Sequence, residues 1–338
     1  MTPARFKNLT SRYSGLRIAV VGDFCLDRYL EIDPSRKEVS IETGLPVHNV
    51  VRIRSQPGGA GTILNNLVAL GVRELYPVGF AGDDGEGFEL NRALASMPGV
   101  HVEEFFLTNK RGTFTYTKPL VVSPCEIPRE LNRLDFKNWT PTPTAVQLRI
   151  TDAVRKLASR VHAIIVLDQV QVPETGVITR RVLQAIGAVK KSHPKLLVMA
   201  DSRRTLKGYP PVCLKMNRAE LSNLAGSKQL VPIQEVGPTA ATLARKTKNH
   251  CFITLSENGI IGASPDGSVE QLPAIPVRGE IDVVGAGDCV TANLTTALAA
   301  GAELKEALKM ANAASSIVVH KLGTTGTASI AEIKRLLL

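Results

Sequence analysis

The chain has 338 residues, of which 44% are hydrophobic and 21% charged, and its formal net charge is +10. The apolar share supports a large buried core and excludes wholesale disorder. Basic residues are scattered rather than clustered and aromatics make up only 4%, which argues against a nucleic-acid partner and for a solvated surface that attracts small anions. Cys25, Cys125, Cys213, Cys251 and Cys289 are far apart, with no Cys-x-x-Cys or Cys/His spacing for a metal. They read as buried thiols of a reducing, cytoplasmic compartment. Residues 1–14 hold no apolar stretch of the kind a signal peptide needs, and no run reaches membrane-spanning length, so neither export nor a membrane partner is expected.

The first predicted strand runs from Leu16 to Asp23, with Asp27 close behind. Open α/β sheets bind ligands at the C-terminal edge of their strands, and an Asp there can accept hydrogen bonds from neighbouring sugar hydroxyls. Asp23 serves equally well as a turn residue. Segments 31–56 and 102–136 alternate weakly, as in Val47, Asn49, Val51 and Ile53, and predict strands that pair into a small β lid. Between them Gly58-Gly59 precedes a helix over 63–70, with Asn65 and Asn66 in its first turns; two glycines there let backbone approach a ligand closely. Asp83, Asp84 and Glu86 are too closely spaced for a calcium loop and read as a turn.

From residue 144 the pattern becomes regular. Helices over 144–160, 174–191 and 238–248, and one from Arg218, alternate with strands over 163–168, 196–201, 212–216 and 251–255. Such alternation predicts an α/β fold, a mostly parallel sheet with helices on both faces. Three strands end in polar residues, Asp168, Asp201 and Asn217. Short antiparallel strands over 260–263 and 269–272 and a last helix over 304–320 follow. No linker or repeat interrupts the chain, so 1–338 reads as one domain with a lid.

The densest signal is Asp282-Val283-Val284-Gly285-Ala286-Gly287-Asp288, followed by a helical run from Cys289 to Ala300. A small-residue turn opening a helix leaves N–H groups unpaired at the positive end of the dipole, which is an anion site. A carboxylate beside it is useful if it takes the proton of a hydroxyl attacking the bound anion, which points to phosphoryl transfer. Asp288 as a plain helix cap is the competing reading.

These residues resemble the PfkB (ribokinase-like) carbohydrate kinases over nearly the whole chain. Gly58-Gly59, Asn217-Arg218-Ala219-Glu220 and Asp282–Asp288 stand where that family has its glycine pair, its Asn-x-x-Glu motif and its second signature. The resemblance implies a ribokinase-like fold, ATP as phosphate donor and Mg²⁺. It implies Asp288 as catalytic base and the amides of Gly285, Ala286 and Gly287 as anion hole. Asn217 and Glu220 would organise the phosphates and Mg²⁺, Glu220 through water. Ser256, Glu257 and Gly259 would contact the nucleotide, Asn312 would lie near the adenine, and Lys321–Gly323 would close that pocket. A monovalent cation, K⁺, beside Asp282 and Val284 is a trait of the family.

Within it, Val21–Tyr29, Asn132–Phe136, Ser256-Glu257 and Lys321–Thr324 are similar to segments of the heptose-7-phosphate kinases. By that likeness the acceptor is a sugar or sugar phosphate, bound by Asp27 beside Gly58, Gly59 and Asn66, with Arg36, Lys37 and Arg133 as candidates for a substrate phosphate. The nucleotidyltransferase of bifunctional members does not follow, so kinase chemistry alone is expected. Four positions depart from the pattern: Thr62 replaces an Asn, Asp168–Val172 lacks a Lys, Asp201-Ser202-Arg203 replaces Asp-Pro-Lys, and Asn293 replaces a small residue. The first three surround the expected acceptor and bear on its identity more than on kinase chemistry. Two alternatives stay open, a nucleoside kinase using Phe114 or Tyr116 to stack a base and a non-catalytic sugar-binding protein. A dinucleotide oxidoreductase is disfavoured because the first strand is not followed by Gly-x-Gly-x-x-Gly. An exposed lid edge would pair with a second copy in a homodimer.

Overall fold

The computed structural model describes residues 1–123, 128–323 and 325–338; Cys125 and Thr324 lie outside the described residues. Helix α1 (Pro3–Thr10) leads into β1 (Arg17–Gly22), and after Asp23 the chain passes directly into the long hairpin β2 (Phe24–Val39) and β3 (Pro46–Gly59). It returns through α2 (Ala60–Ala69), β4 (Glu74–Gly82), α3 (Gly85–Ala95) and β5 (Phe105–Thr108). A second excursion holds β6 (Thr115–Val121), β7 (Arg129–Glu130) and β8 (Leu134–Phe136). The remainder is α4 (Thr144–Leu157), β9 (Ala163–Asp168), α5 (Arg180–Ser192), β10 (Leu197–Ser202), β11 (Cys213–Asn217), α6 (Arg218–Leu224), α7 (Ile233–Thr247), β12 (Cys251–Thr254), β13 (Ile260–Ala263), β14 (Val269–Leu272), α8 (Ala286–Ala299), α9 (Leu304–Val318) and α10 (Ile330–Leu337).

The central sheet has the order β14-β13-β12-β11-β10-β9-β1-β4-β5, parallel from β12 to β5 and antiparallel at β13 and β14. Its strands are buried on both faces, as the near-continuous Val, Ile and Leu of β1 and β9 require. One face packs against α4, α5 and α7 through Ile150, Val182 and Ala240; the other packs against α2, α8 and α9 through Leu64, Leu294 and Ala311. Three buried polar side chains of α8 are satisfied within the helix. Asn293, Thr295 and Thr296 each donate to the carbonyl four residues earlier, so the departure at Asn293 belongs to the core.

The second sheet, β3-β2-β6-β7 with β8 on β6, is the lid. Its extent differs from the expected 31–56 and 102–136. It begins at Phe24, so Asp27 lies on a lid strand. Residues 105–108 belong to the central sheet, because Phe105 packs edge-on against Phe24 and Phe106 against Phe80. Helix α7 begins at Ile233, a turn before Pro238, because Val236 is buried against the sheet. The terminal helices α1 and α10 were not expected from periodicity. A capping box, Ser329 with Glu332, marks the start of α10. Asp84 likewise caps α3, accepting the Gly87 N–H at 2.7 Å; Asp83 and Asp84 form the turn they were read as, while Glu86, read with them, lies in the first turn of α3.

Asp23 joins the two sheets. It is buried, and its carboxylate accepts backbone N–H groups of Gln169 (2.8 Å), Val170 (3.1 Å) and Val177 (2.6 Å), which pins the loop after β9 to the end of β1. Asp23→Ala would strand three buried donors. Each such loss costs about 1–3 kcal/mol, so a drop of at least about 3 kcal/mol in denaturant-unfolding stability is expected.

Candidate active site

Above the C-terminal ends of β1, β9, β10 and β11 lies a cavity of about 410 Å³, roofed by the lid. Lys215, Asn217, Val283 and Gly287 line both this cavity and a second, mostly apolar slot of about 490 Å³, so the two are continuous. Asp288 stands near their junction. Gly285 takes a φ of +82° that a side chain would strain, and from Ala286 the chain turns helical; Gly285 and Gly287 lie at the cavity floor, whereas Ala286 lines the slot and gives its N–H to Val283 O at 3.2 Å. Burial, followed by the nearby Asp201 charge, pushes the Asp288 carboxyl up to about 6.

Beneath the amide turn lies an ion pair that the sequence reading missed. Lys215 Nζ is 2.8 Å from Asp201 Oδ2, both side chains are buried, and Thr291 Oγ1 donates to the same Asp201 oxygen at 2.8 Å. A Cβ placed on Gly287 would come within 3.1 Å of Lys215 Nζ. Burial alone would push Lys215 toward its neutral form, but Asp201 outweighs it and holds the ammonium above its usual value. A lone Lys among the apolar residues of β11 was the available signal.

Beneath the lid, Asp27 and Gly59 line the cavity, while Gly58 lies just behind, packed against the Asp27 carboxylate. Asn66 is not brought in. It is fully buried in α2, its amide donates to Thr62 O, and it is Thr62, one turn earlier, that lines the cavity. Arg133 lines the wall, bidentate to Asp135 and over the Tyr116 ring at 5.1 Å. Arg36 and Lys37 do not reach it; they sit on the exposed outer part of β2, with Arg36 paired to Asp33. In their place stand Lys118 and Lys137, which sequence did not single out, and Arg203, which it noted only as a departure near the expected acceptor. Phe114 is buried against Phe80 and cannot stack a ligand, whereas Tyr116 lines the cavity. Asp168 is turned into structural work, accepting from Ser202, Arg204 and Tyr209.

Ser256, Glu257, Gly259 and Asn312 line the slot with Ile260, Ile275 and Val290, and the Asn312 amide is held by Pro273 O at 2.8 Å. Asn217 and Glu220 form a capping box on α6: Asn217 Oδ1 accepts the Glu220 N–H at 2.9 Å and Glu220 Oε2 accepts the Asn217 N–H at 2.8 Å. Both still line the cavity, Glu220 with its carboxyl raised by burial. Asp282 Oδ1 accepts the Val284 N–H and steadies the turn before Gly285. Gln56 of the lid donates to Thr325 at 2.7 Å, and Thr325 packs on Gly285, which ties the lid base to the amide turn.

Residues 176–331, which hold the capping box, the amide turn and Asp288, match the model of the pfkB family carbohydrate kinases. Those residues form a pfkB family domain. The chain is 30% identical over 334 residues to the bifunctional protein HldE of Bradyrhizobium sp. (strain ORS 278), covering 98% of this chain and 66% of that protein. It is 31% identical over 331 residues to the bifunctional protein HldE of Pelobacter propionicus, covering 97% and 65%. The chain therefore spans just under two thirds of the length of these relatives. Other pfkB-type folds align over 95% of the chain and 98% of theirs. They include Arabidopsis thaliana ribokinase complexed with ribose and ATP (TM-score 0.70, 19% identity) and phosphofructokinase-2 of Escherichia coli in complex with potassium (TM-score 0.71, 17% identity). The likeness to these two shows the ribokinase-like fold.

The close packing behind Asp27 can be probed directly. A methyl group on Gly58 would sit 2.5 Å from Asp27 Oδ2 and 2.8 Å from Cys25 Sγ. On the sequence expectation that Asp27 holds the acceptor of an ATP-dependent kinase, Gly58→Ala should push the Asp27 carboxylate out of place and raise the KM for the acceptor about tenfold, with the KM for ATP unchanged in steady-state assays.

Proposed function

We propose that the chain is an ATP-dependent kinase that phosphorylates a hydroxyl of a sugar phosphate, with heptose 7-phosphate the first acceptor to test. One observation carries this reading: Asp288 stands at the α8 N-terminus where the cavity lined by Asp27 and Thr62 meets a mostly apolar slot of nucleotide size. The four cations Lys118, Arg133, Lys137 and Arg203 face the same cavity and favour an acceptor that already carries a phosphate. They are the feature that sets a sugar phosphate above a nucleoside. In this reading residues 1–338 work as one kinase domain, and the free, buried thiols of Cys25, Cys213, Cys251 and Cys289 support a reducing, cytoplasmic setting.

The adenine would enter between Ile260, Ile275 and Val290, near Asn312, placing the γ-phosphate over Gly285–Gly287. There the amides, with Lys215 behind them, would stabilise charge on the transferring group. The acceptor hydroxyl, oriented by Asp27, would lose its proton to Asp288. Glu220 offers a carboxylate whose second oxygen has no protein partner among the described residues, which suits a water-held Mg²⁺ arriving on the ATP phosphates. That ion would neutralise phosphate charge. K⁺ beside Asp282 is part of the same proposal. No group of three or more His, Cys, Asp or Glu residues that could hold a metal by itself occurs among the described residues, so the nucleotide would share in holding either ion. No helix among the described residues is long and apolar enough to cross a membrane.

A base held near pH 6 makes a signed prediction. Turnover should fall about tenfold per pH unit below about 6 and level off above it, as Asp288 protonates and deprotonates. Asp288→Asn should lower kcat about a thousandfold while ATP still binds in a calorimetric titration; wild-type turnover in that variant would refute the assigned base.

We also propose a homodimer through the lid. β3 is an edge strand, and Val39, Ile41 (98% exposed) and Leu45 present bare apolar surface at the hairpin tip. Sedimentation should give twice the 36.3 kDa chain mass, and Ile41→Asp should return it to one chain.

A further inference from the structure

Trp139 is the only tryptophan of the chain, and it is 71% exposed. It nevertheless lines the acceptor cavity, on the segment that leads from β8 to α4, beside Lys137. The backbone on either side of it is held by buried polar groups. Before it, the Asn138 side chain accepts the Gly112 N–H at 3.1 Å and donates to Gly112 O at 2.9 Å. After it, the Arg111 guanidinium donates to the carbonyls of Thr140 and Pro141. Arg111 and Asn138 are both buried. Gly112 is required at the anchor, because a Cβ there would run into the Phe136 ring. Arg111, Gly112 and Asn138 thus fix a short segment whose one large aromatic side chain is an exposed indole at the mouth of the acceptor cavity. An exposed Trp held this rigidly loses little entropy when a ligand covers it.

We propose that Trp139 is a specificity-determining platform, and that the acceptor lays an apolar C–H face of its carbon skeleton on the indole while its phosphate meets Lys118, Lys137, Arg133 and Arg203. The inference rests on the kinase reading above and adds a requirement to it: the acceptor is a phosphorylated sugar long enough to reach from Asp288 past Asp27 to the lid segment. Indole faces bind the slightly positive C–H groups of a ligand, and the cations beside this one select for an anionic end. A nucleoside would bring a base to the indole but no charge for those cations.

The chain reports on itself, because Trp139 is its sole indole. Titration of the wild-type chain, without ATP, with a heptose 7-phosphate and with fructose 6-phosphate should change its tryptophan emission saturably for at least one of them. Unphosphorylated sugars and nucleosides should leave the emission unchanged. In steady-state assays with Mg-ATP, Trp139→Ala should raise the acceptor KM about tenfold, with kcat and the KM for ATP changed less than about twofold, and Trp139→Phe should recover most of the loss. Flat emission at saturating acceptor, an unchanged acceptor KM in Trp139→Ala, or an effect seen only with nucleosides overturns the platform. Equal losses in kcat and both KM values would make Trp139 structural and overturn it too. Failure of wild-type chain to consume ATP with any acceptor overturns the kinase reading instead, and the emission titration still tests the platform independently.

Discussion

The site depends on one balance of buried charge. Buried Lys215 and Asp201 lie close to Asp288, which is half-buried at the cavity wall in the first turn of α8. Lys215 and Asp201 are buried as a hydrogen-bonded pair, so the strand ends of β10 and β11 cannot separate without exposing an uncompensated ion. The pair places a positive group under Gly287 and a negative one near Asp288. The first adds to the helix amides in drawing an anion. The second, with burial, keeps Asp288 basic enough to be of use near neutral pH.

Around that balance the fold divides the labour between two sheets. The parallel sheet brings strand ends and helix N-termini to one edge, which is where the amide turn and the proposed nucleotide slot arise. The lid brings the residues proposed to hold the acceptor. Asp27 lies on β2, Tyr116 and Lys118 on β6, and Arg133, Lys137 and Trp139 on the segments around β8. Because β1 runs into β2 with only Asp23 between them, the two halves of the site are set by one buried carboxylate and its three amide donors. The hydrogen bond from Gln56 to Thr325 links them a second time, across the mouth.

Departures from the family pattern separate into two kinds. Asn293 is a core residue whose amide is satisfied by its own helix, and it says nothing about substrate. Thr62 and Arg203 line the cavity beneath the lid, and the missing Lys after Asp168 leaves Gln169 and Gln171 on its wall. The cations lost by one route return by another, from the lid strands, so the cavity keeps its positive character with different residues.

Much of this was legible in the amino-acid order. The alternation of strands and helices after residue 144, the amide turn at Gly285–Gly287 and the pairing of Asn217 with Glu220 are local patterns, carried by spacing and by glycine, and neighbours in sequence suffice to specify them. What the order could not reveal was every contact between residues far apart in the chain. Asn66 reads as a ligand group yet is turned into the core, because helix rotation is set by packing against α8 and not by the helix itself. Arg36 and Lys37 look like phosphate ligands but ride on the outer part of a long hairpin. Lys215, Lys118 and Trp139 reach the site only because β11, β6 and the segment after β8 converge there. Local spacing decides which elements form; which of their faces meet, and so which charges share one cavity, is decided only when apolar burial has brought the two sheets together.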